Sequence, residues 1–124
     1  MTRVPEEITT AEQARAVYLR AAKLHESGDF LGAIALYNKL VNLGLTNLIL
    51  DRAGINIHNV RKHRALAYLK SGQFAEAEQE FKDLQAVFRS VLGGQYTDSQ
   101  YKYWELLARY KGDKKKAMDE LLKL

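Results

Sequence analysis

The chain has 124 residues, one proline (Pro5), no cysteine and a formal net charge of +4. That length suits one compact domain burying about two-thirds of its surface, and is too short for a two-domain enzyme. The lack of cysteine excludes a disulfide-stapled scaffold, thiol catalysis and thiolate metal sites, and fits a reducing, cytoplasmic setting.

Residues 1–10 carry Glu6 and Glu7 and no apolar run. They read as an N-terminal arm, frayed over 1–5, and not as a signal peptide. No stretch approaches the roughly 20 apolar residues of a spanning helix, so membrane insertion is not expected. Thr9 or Thr10 with Glu12 or Gln13 forms a capping box and predicts a helix from 11 to about 26. Ser27-Gly28-Asp29 stops that helix and caps a second over about 30–43, which Gly44 ends. In 46–58, Gly54 and the β-branched residues argue against a long helix. A short helix over 47–53 leading into a longer one is the preferred reading, with a strand pair as the alternative. Helices over about 59–70 and 74–92 flank Ser71-Gly72-Gln73. Gly93-Gly94 is a break. A helix from Thr97 or Asp98 to Lys111 follows, and Gly112-Asp113 opens the last.

The punctuation recurs. Gly28, Gly72 and Gly112 are each followed five residues later by alanine: Ala33, Ala77 and Ala117. Four residues on stands Tyr37, Phe81 or Leu121, and three after that Leu40, Leu84 or Leu124. Two antiparallel helices need glycine at the tight turn and a small residue where they approach most closely. The large residue one turn later fills the space toward the next pair. One such hairpin cannot bury its apolar face alone, so it must stack.

This pattern resembles the tetratricopeptide repeat (TPR) family over about residues 11–124. Units one and two match well, with Ala21 and Ala65 in the preceding helices. In the third, Glu105 stands where the family prefers a small residue. Leu45 and Arg89 replace the unit-ending prolines. The glycine spacings of 44 and 40 residues exceed the family's period of about 34. The first unit alone is also similar to three-helix microtubule-interacting-and-transport domains; recurrence at Gly72 and Gly112 favours the repeat.

The resemblance implies an all-α fold of three stacked antiparallel helix pairs, a TPR-like α-solenoid. The units span about 11–45, 46–92 and 97–124. It further implies a non-enzymatic adaptor or scaffold that binds a peptide or helix of a protein partner in a concave groove. Counting from the turns, that groove takes Arg15, Tyr18, Ala22 and His25 from the first unit. The second gives Asn59, Lys62, Leu66 and Lys70, and the third Ser99, Lys102, Leu106 and Arg109. A slip of one residue brings in Leu19, His63, Tyr103 and Tyr110. Cations mixed with apolar groups suit a peptide carrying acidic residues. The family's chaperone-tail subgroup needs Lys, Asn and Arg at positions that here read Tyr18, Ala22, His63, Ser99 and Tyr103, so that ligand is not expected.

No catalytic, metal or cofactor constellation stands out. His58 and His63 are five apart and do not share a helical face. Gly93-Gly94 lacks the lysine of a phosphate loop. Glu76, Glu78, Glu80 and Asp83 read as solvated residues pairing with lysines one turn away. Tyr101, Trp104 and Ala108 share one helical face, expected in the core; Tyr103, Leu107 and Tyr110 share another. Met118, Leu121, Leu122 and Leu124 give the last helix an apolar stripe that fits self-association or a partner surface. All of the net charge lies after His58, where thirteen basic residues face nine acidic ones. A chaperone for apolar partner segments and a self-associating scaffold are the alternative functions. Nucleic-acid binding, hinted at by Lys114-Lys115-Lys116, is the weaker reading.

Overall fold

The computed structural model describes residues 7–44 and 46–124; among these every regular element is an α-helix and no strand occurs. The expected fraying of 1–5 and the position assigned to Leu45 lie outside the described residues. The chain forms two compact units, the first ending at Ala67 and the second comprising Tyr68–Leu124.

The first unit holds α1 (Ala11–Ser27), α2 (Phe30–Val41), α3 (Leu48–Ala53) and most of α4 (Ile57–Lys70). The capping box is present: Thr10 Oγ1 accepts from the Gln13 N–H at 3.1 Å, and Gln13 Oε1 accepts from the Thr10 N–H at 3.1 Å. Gly28 turns left-handed at φ 91°, and the Asp29 N–H reaches back to the Leu24 carbonyl at 2.8 Å, which closes the helix end. Asp29 then caps α2 through the Gly32 N–H at 2.9 Å. The ambiguous segment is the short helix α3, capped by Asn47 and stopped by Gly54 at φ 71°. α4 starts two residues earlier than 59 because the Asn56 side chain accepts from the His58 N–H at 2.8 Å, which holds the turn. α1 packs closely on α2 and α3. Ala14, Val17 and Ala21, one stripe of α1, are buried, as are Ala33, Tyr37 and Leu40 of α2.

The second unit holds α5 (Phe74–Leu92), α6 (Ser99–Arg109) and α7 (Lys114–Leu122), with α6 packed on both α5 and α7. Asp98 caps α6 through the Gln100 N–H at 2.9 Å, and Asp113 caps α7 through the Lys116 N–H at 3.0 Å. Phe81, fully buried, stacks on Trp104 with ring centroids 5.5 Å apart and meets the edge of Tyr101 at 6.2 Å. Phe88 meets Tyr101 at 5.1 Å. The Tyr101, Trp104 and Ala108 face of α6 is therefore its core face. Tyr103, Leu107 and Tyr110 are half-exposed, and Lys116 Nζ sits 5.0 Å from the Tyr110 ring centroid.

The recurring alanines behave alike, but the two apolar positions after them are sealed only in the first two motifs; Leu121, the third counterpart of Tyr37 and Phe81, is half-exposed. Ala33, Ala77 and Ala117 are all 0 % exposed, and Tyr37 and Phe81 at most 1 %. Leu40 and Leu84 are sealed at 0 %, whereas Leu124 is 79 % exposed. The solvated reading of the acidic residues on α5 fails at Glu80, which is buried. It lies three residues from Ala77 and four from Leu84, inside the packed stripe.

Candidate functional site

An open cleft of about 890 Å³ lies within the second unit. α5 lines it with Lys82, Gln85 and Arg89, three residues on one helical face. The start and inner face of α6 add Asp98, Lys102, Glu105 and Arg109. The far edge is apolar: Leu121, Leu122 and Leu124.

The polar wall is a connected network. The Glu105 side chain is only 4 % exposed. Its Oε1 accepts from Gln85 Nε2 at 2.9 Å; its Oε2 accepts from Lys102 Nζ at 3.1 Å and Arg109 Nη2 at 2.6 Å. Arg109 Nε also donates to Glu78 Oε2 at 2.8 Å, and Lys82 Nζ lies 3.2 Å from the same oxygen. A carboxylate taken out of water needs such compensation on both oxygens. Burial pulls the Glu78 carboxyl up, but hydrogen bonds from Arg109 and Lys82 outweigh it and leave it below its usual 4.5. Glu105 therefore fits the third motif as an ion-paired residue where the resemblance expects a small one. Asp98 is committed to the α6 terminus and to the Tyr96 hydroxyl, 3.2 Å away. Arg89 is exposed and makes no ion pair or side-chain hydrogen bond with another described residue.

The first unit carries a different cluster. Tyr18 Oη is 3.0 Å from His63 Nδ1, and Tyr37 Oη is 3.4 Å from His25 Nδ1. The Tyr37 and His63 rings stack with centroids 6.2 Å apart. Burial, with the neighbouring Tyr18, pushes the Tyr37 phenol up to about 12. Burial, then the charges of Lys62 and His25, hold His63 below its ordinary 6.5.

Against the sequence-derived groove, Ser99, Lys102 and Arg109 line the cleft, while Leu106 is 3 % exposed and belongs to the core. Leu106 lies one turn from Lys102 and Arg109 on α6, and it is burial, not a different helical face, that takes it out of the cleft lining, where Glu105 stands in its place. In the first unit, Arg15 and Ala22 are exposed; Arg15 Nη1 donates to the Arg52 carbonyl at 3.4 Å. Tyr18 is half-buried against His63, Asn59 is exposed, and Lys62 and Leu66 are half-exposed. Lys70 is exposed and belongs to the second unit. The structure brings the third-unit set together with the leucines of α7, not with a further first helix, and among the other candidates it pairs Tyr18 with His63. The α5 contribution escaped sequence reasoning, which looked only to the first helix of each pair. The signal was there in the polar stripe Lys82, Gln85, Arg89 at helical spacing. Met118, at 44 % exposure, lies on α7 but does not line the cleft.

Among the described residues no group of three or more His, Asp or Glu could hold a metal ion, and no helix is long and apolar enough to cross a membrane. With both oxygens of Glu105 occupied, the wall offers a fixed polar surface beside an apolar edge, an arrangement suited to binding. No family model, curated protein or solved structure matches the chain.

Proposed function

We propose that the chain is a non-enzymatic protein-interaction module of tetratricopeptide-like helical hairpins, and that the second unit binds a peptide segment of a partner in its cleft. The repeat reading is supported by the three left-handed turn glycines, Gly28, Gly72 and Gly112, each followed by a fully buried alanine. The observation that carries the binding reading is the cleft itself. A rigid wall of ion-paired side chains faces leucines that remain open to water, with Leu122 at 76 % exposure. Fixed polar groups around an apolar contact are the common anatomy of a specific peptide site.

Selection of random peptides displayed on phage against the intact chain tests this. Binders should be enriched, and the pair of changes Arg89→Glu and Leu122→Asp should release them. Enrichment of no sequence that depends on these two residues would overturn the reading.

A further inference from the structure

The charges of the cleft constrain what fills it. Lys102 and Arg109 are spent on Glu105, and Arg109 and Lys82 on Glu78. With Asp98 counted, four cations stand against three carboxylates, and Arg89 alone is uncommitted. A run of carboxylates would find one cation to meet. Each further one would have to pull Arg109 or Lys102 from a carboxylate that is itself buried, which leaves that group uncompensated. The apolar side is unsatisfied by contrast: Leu122 and Leu124 are 76 % and 79 % exposed at the cleft edge.

Backbone geometry narrows the occupant again. The long walls of the cleft are the side-chain faces of α5, α6 and α7. An extended peptide finds no strand edge among the described residues to pair with, whereas a helix satisfies its own backbone. The aromatic rings a proline-rich ligand would need are turned the other way, with Tyr101 and Trp104 packed on Phe81.

We propose, on the footing of the peptide-binding reading above, that the cleft takes a short amphipathic helix of a partner protein. Its apolar face meets Leu121, Leu122 and Leu124, and a single carboxylate meets Arg89. Affinity then comes from apolar contact and is only weakly sensitive to salt, because the remaining charges of the wall neutralise one another.

Fluorescence anisotropy with three labelled designed helices of roughly 16 residues, about four and a half turns, tests this. One has leucines along one face and one glutamate. In the second, glutamines replace the leucines; the third is glutamate-rich without leucine. The leucine helix should bind. The glutamine version should lose about tenfold or more, since the buried leucines together carry most of the gain. Raising NaCl from about 0.05 to about 0.5 M should weaken the leucine helix by less than about threefold. Leu122→Asp with Leu124→Asp should abolish binding. Arg89→Gln should weaken the glutamate-bearing leucine helix by about two- to fivefold, as for a partly exposed ion pair. All three positions are exposed, so circular dichroism should show unchanged helix content.

Tighter binding of the glutamate-rich peptide, or a salt effect of about tenfold, overturns the proposal in favour of an acidic ligand. So does failure of the leucine helix while display selection still enriches cleft-dependent sequences; that outcome spares the peptide-binding reading. Failure of both removes the reading as well. Sedimentation showing a dimer that the two leucine changes dissociate makes the occupant a second copy, and overturns the proposal too.

Discussion

The two units solve one problem in opposite chemical ways. Each links polar side chains into a hydrogen-bonded cluster. In the first, these are Tyr18 with His63 and Tyr37 with His25, hydroxyl–imidazole pairs. In the second, they are Glu105, Lys102 and Arg109, which bond as ions, with Gln85 supplying the one neutral donor. The choice follows from the equivalent motif position. Tyr37 brings a hydroxyl into the first core and needs an imidazole near it; Phe81 brings none, and its ring is met by Trp104 instead. In the second unit the buried Gln85 and Glu105 join the more exposed Lys102 and Arg109 in one wall of the cleft.

The sharpest way to break this parallel is to empty both central positions. Tyr37→Ala and Phe81→Ala should each cost about 3–5 kcal/mol, since both side chains are at most 1 % exposed. Urea denaturation followed by circular dichroism measures it. Equal losses support equivalent roles for the two positions. A loss confined to one would mean that the repeated motif is not matched in packing.

Next in size is the ionic wall. Glu105→Ala strands Lys102, Arg109 and Gln85, and should cost about 1–3 kcal/mol. The cations keep the figure below that of a sealed pair, because their side chains are 33 % and 38 % exposed and can rehydrate. Glu105→Gln keeps two hydrogen-bonding atoms and should cost less. An alanine variant as stable as the parent in urea would show the network to be ornamental.

Much of this was legible in the residues. Caps, glycine stops and helical spacing placed all seven helices of the described residues, including the short α3, because those signals are local. The core face of α6 followed from Tyr101 and Trp104 lying three residues apart. The site was less legible. Leu106 reads as a groove residue when counted from the turn, yet its burial depends on how α6 is rotated against α5 and α7, which no local signal fixes. Glu80 reads as a surface acid for the same reason, and nothing local gives Glu105 its ion-paired role; partners such as Gln85, twenty residues from Glu105, are invisible until the chain is folded.

Acid should separate the units. His63 and His58 are both held below 6.5, in each case chiefly by burial. Below 6.5 the unfolded chain takes up protons that the folded one refuses, so this stabilisation is complete above 6.5 and declines as pH falls toward the lower folded values. Glu78 has the opposite charge type but the same direction. Its stabilising effect is present above 4.5 and is lost only as pH falls through its depressed folded value. Between about pH 7 and about pH 5, protection factors, which correct for slower intrinsic exchange in acid, should fall in α1 and the first turns of α4. Fluorescence of Trp104, the single tryptophan, should stay constant over that range. His63→Gln retains a partner for Tyr18 and should remove part of the acid response. A parallel loss of protection in α5 and α6 near pH 6 would erase the distinction between neutral and ionic clusters.

The smallest expected effect lies in the turns. The first hairpin turn places only Gly28 in the left-handed region, at φ 91°. The last places two residues there, Lys111 at φ 54° and Gly112 at φ 86°. A left-handed residue with a Cβ costs about 1–2 kcal/mol. Glycine removes that strain but adds freedom to the unfolded chain, so Lys111→Gly should stabilise by about 0.5 kcal/mol. A thermal melt read at Trp104 should move up by a few degrees, while the same melt with Ser27→Gly should move down. Ser27 is the last residue of α1 and has no left-handed strain to relieve, so glycine there brings its entropic cost and loses the Ser27 Oγ hydrogen bond to the Leu24 carbonyl at 3.0 Å.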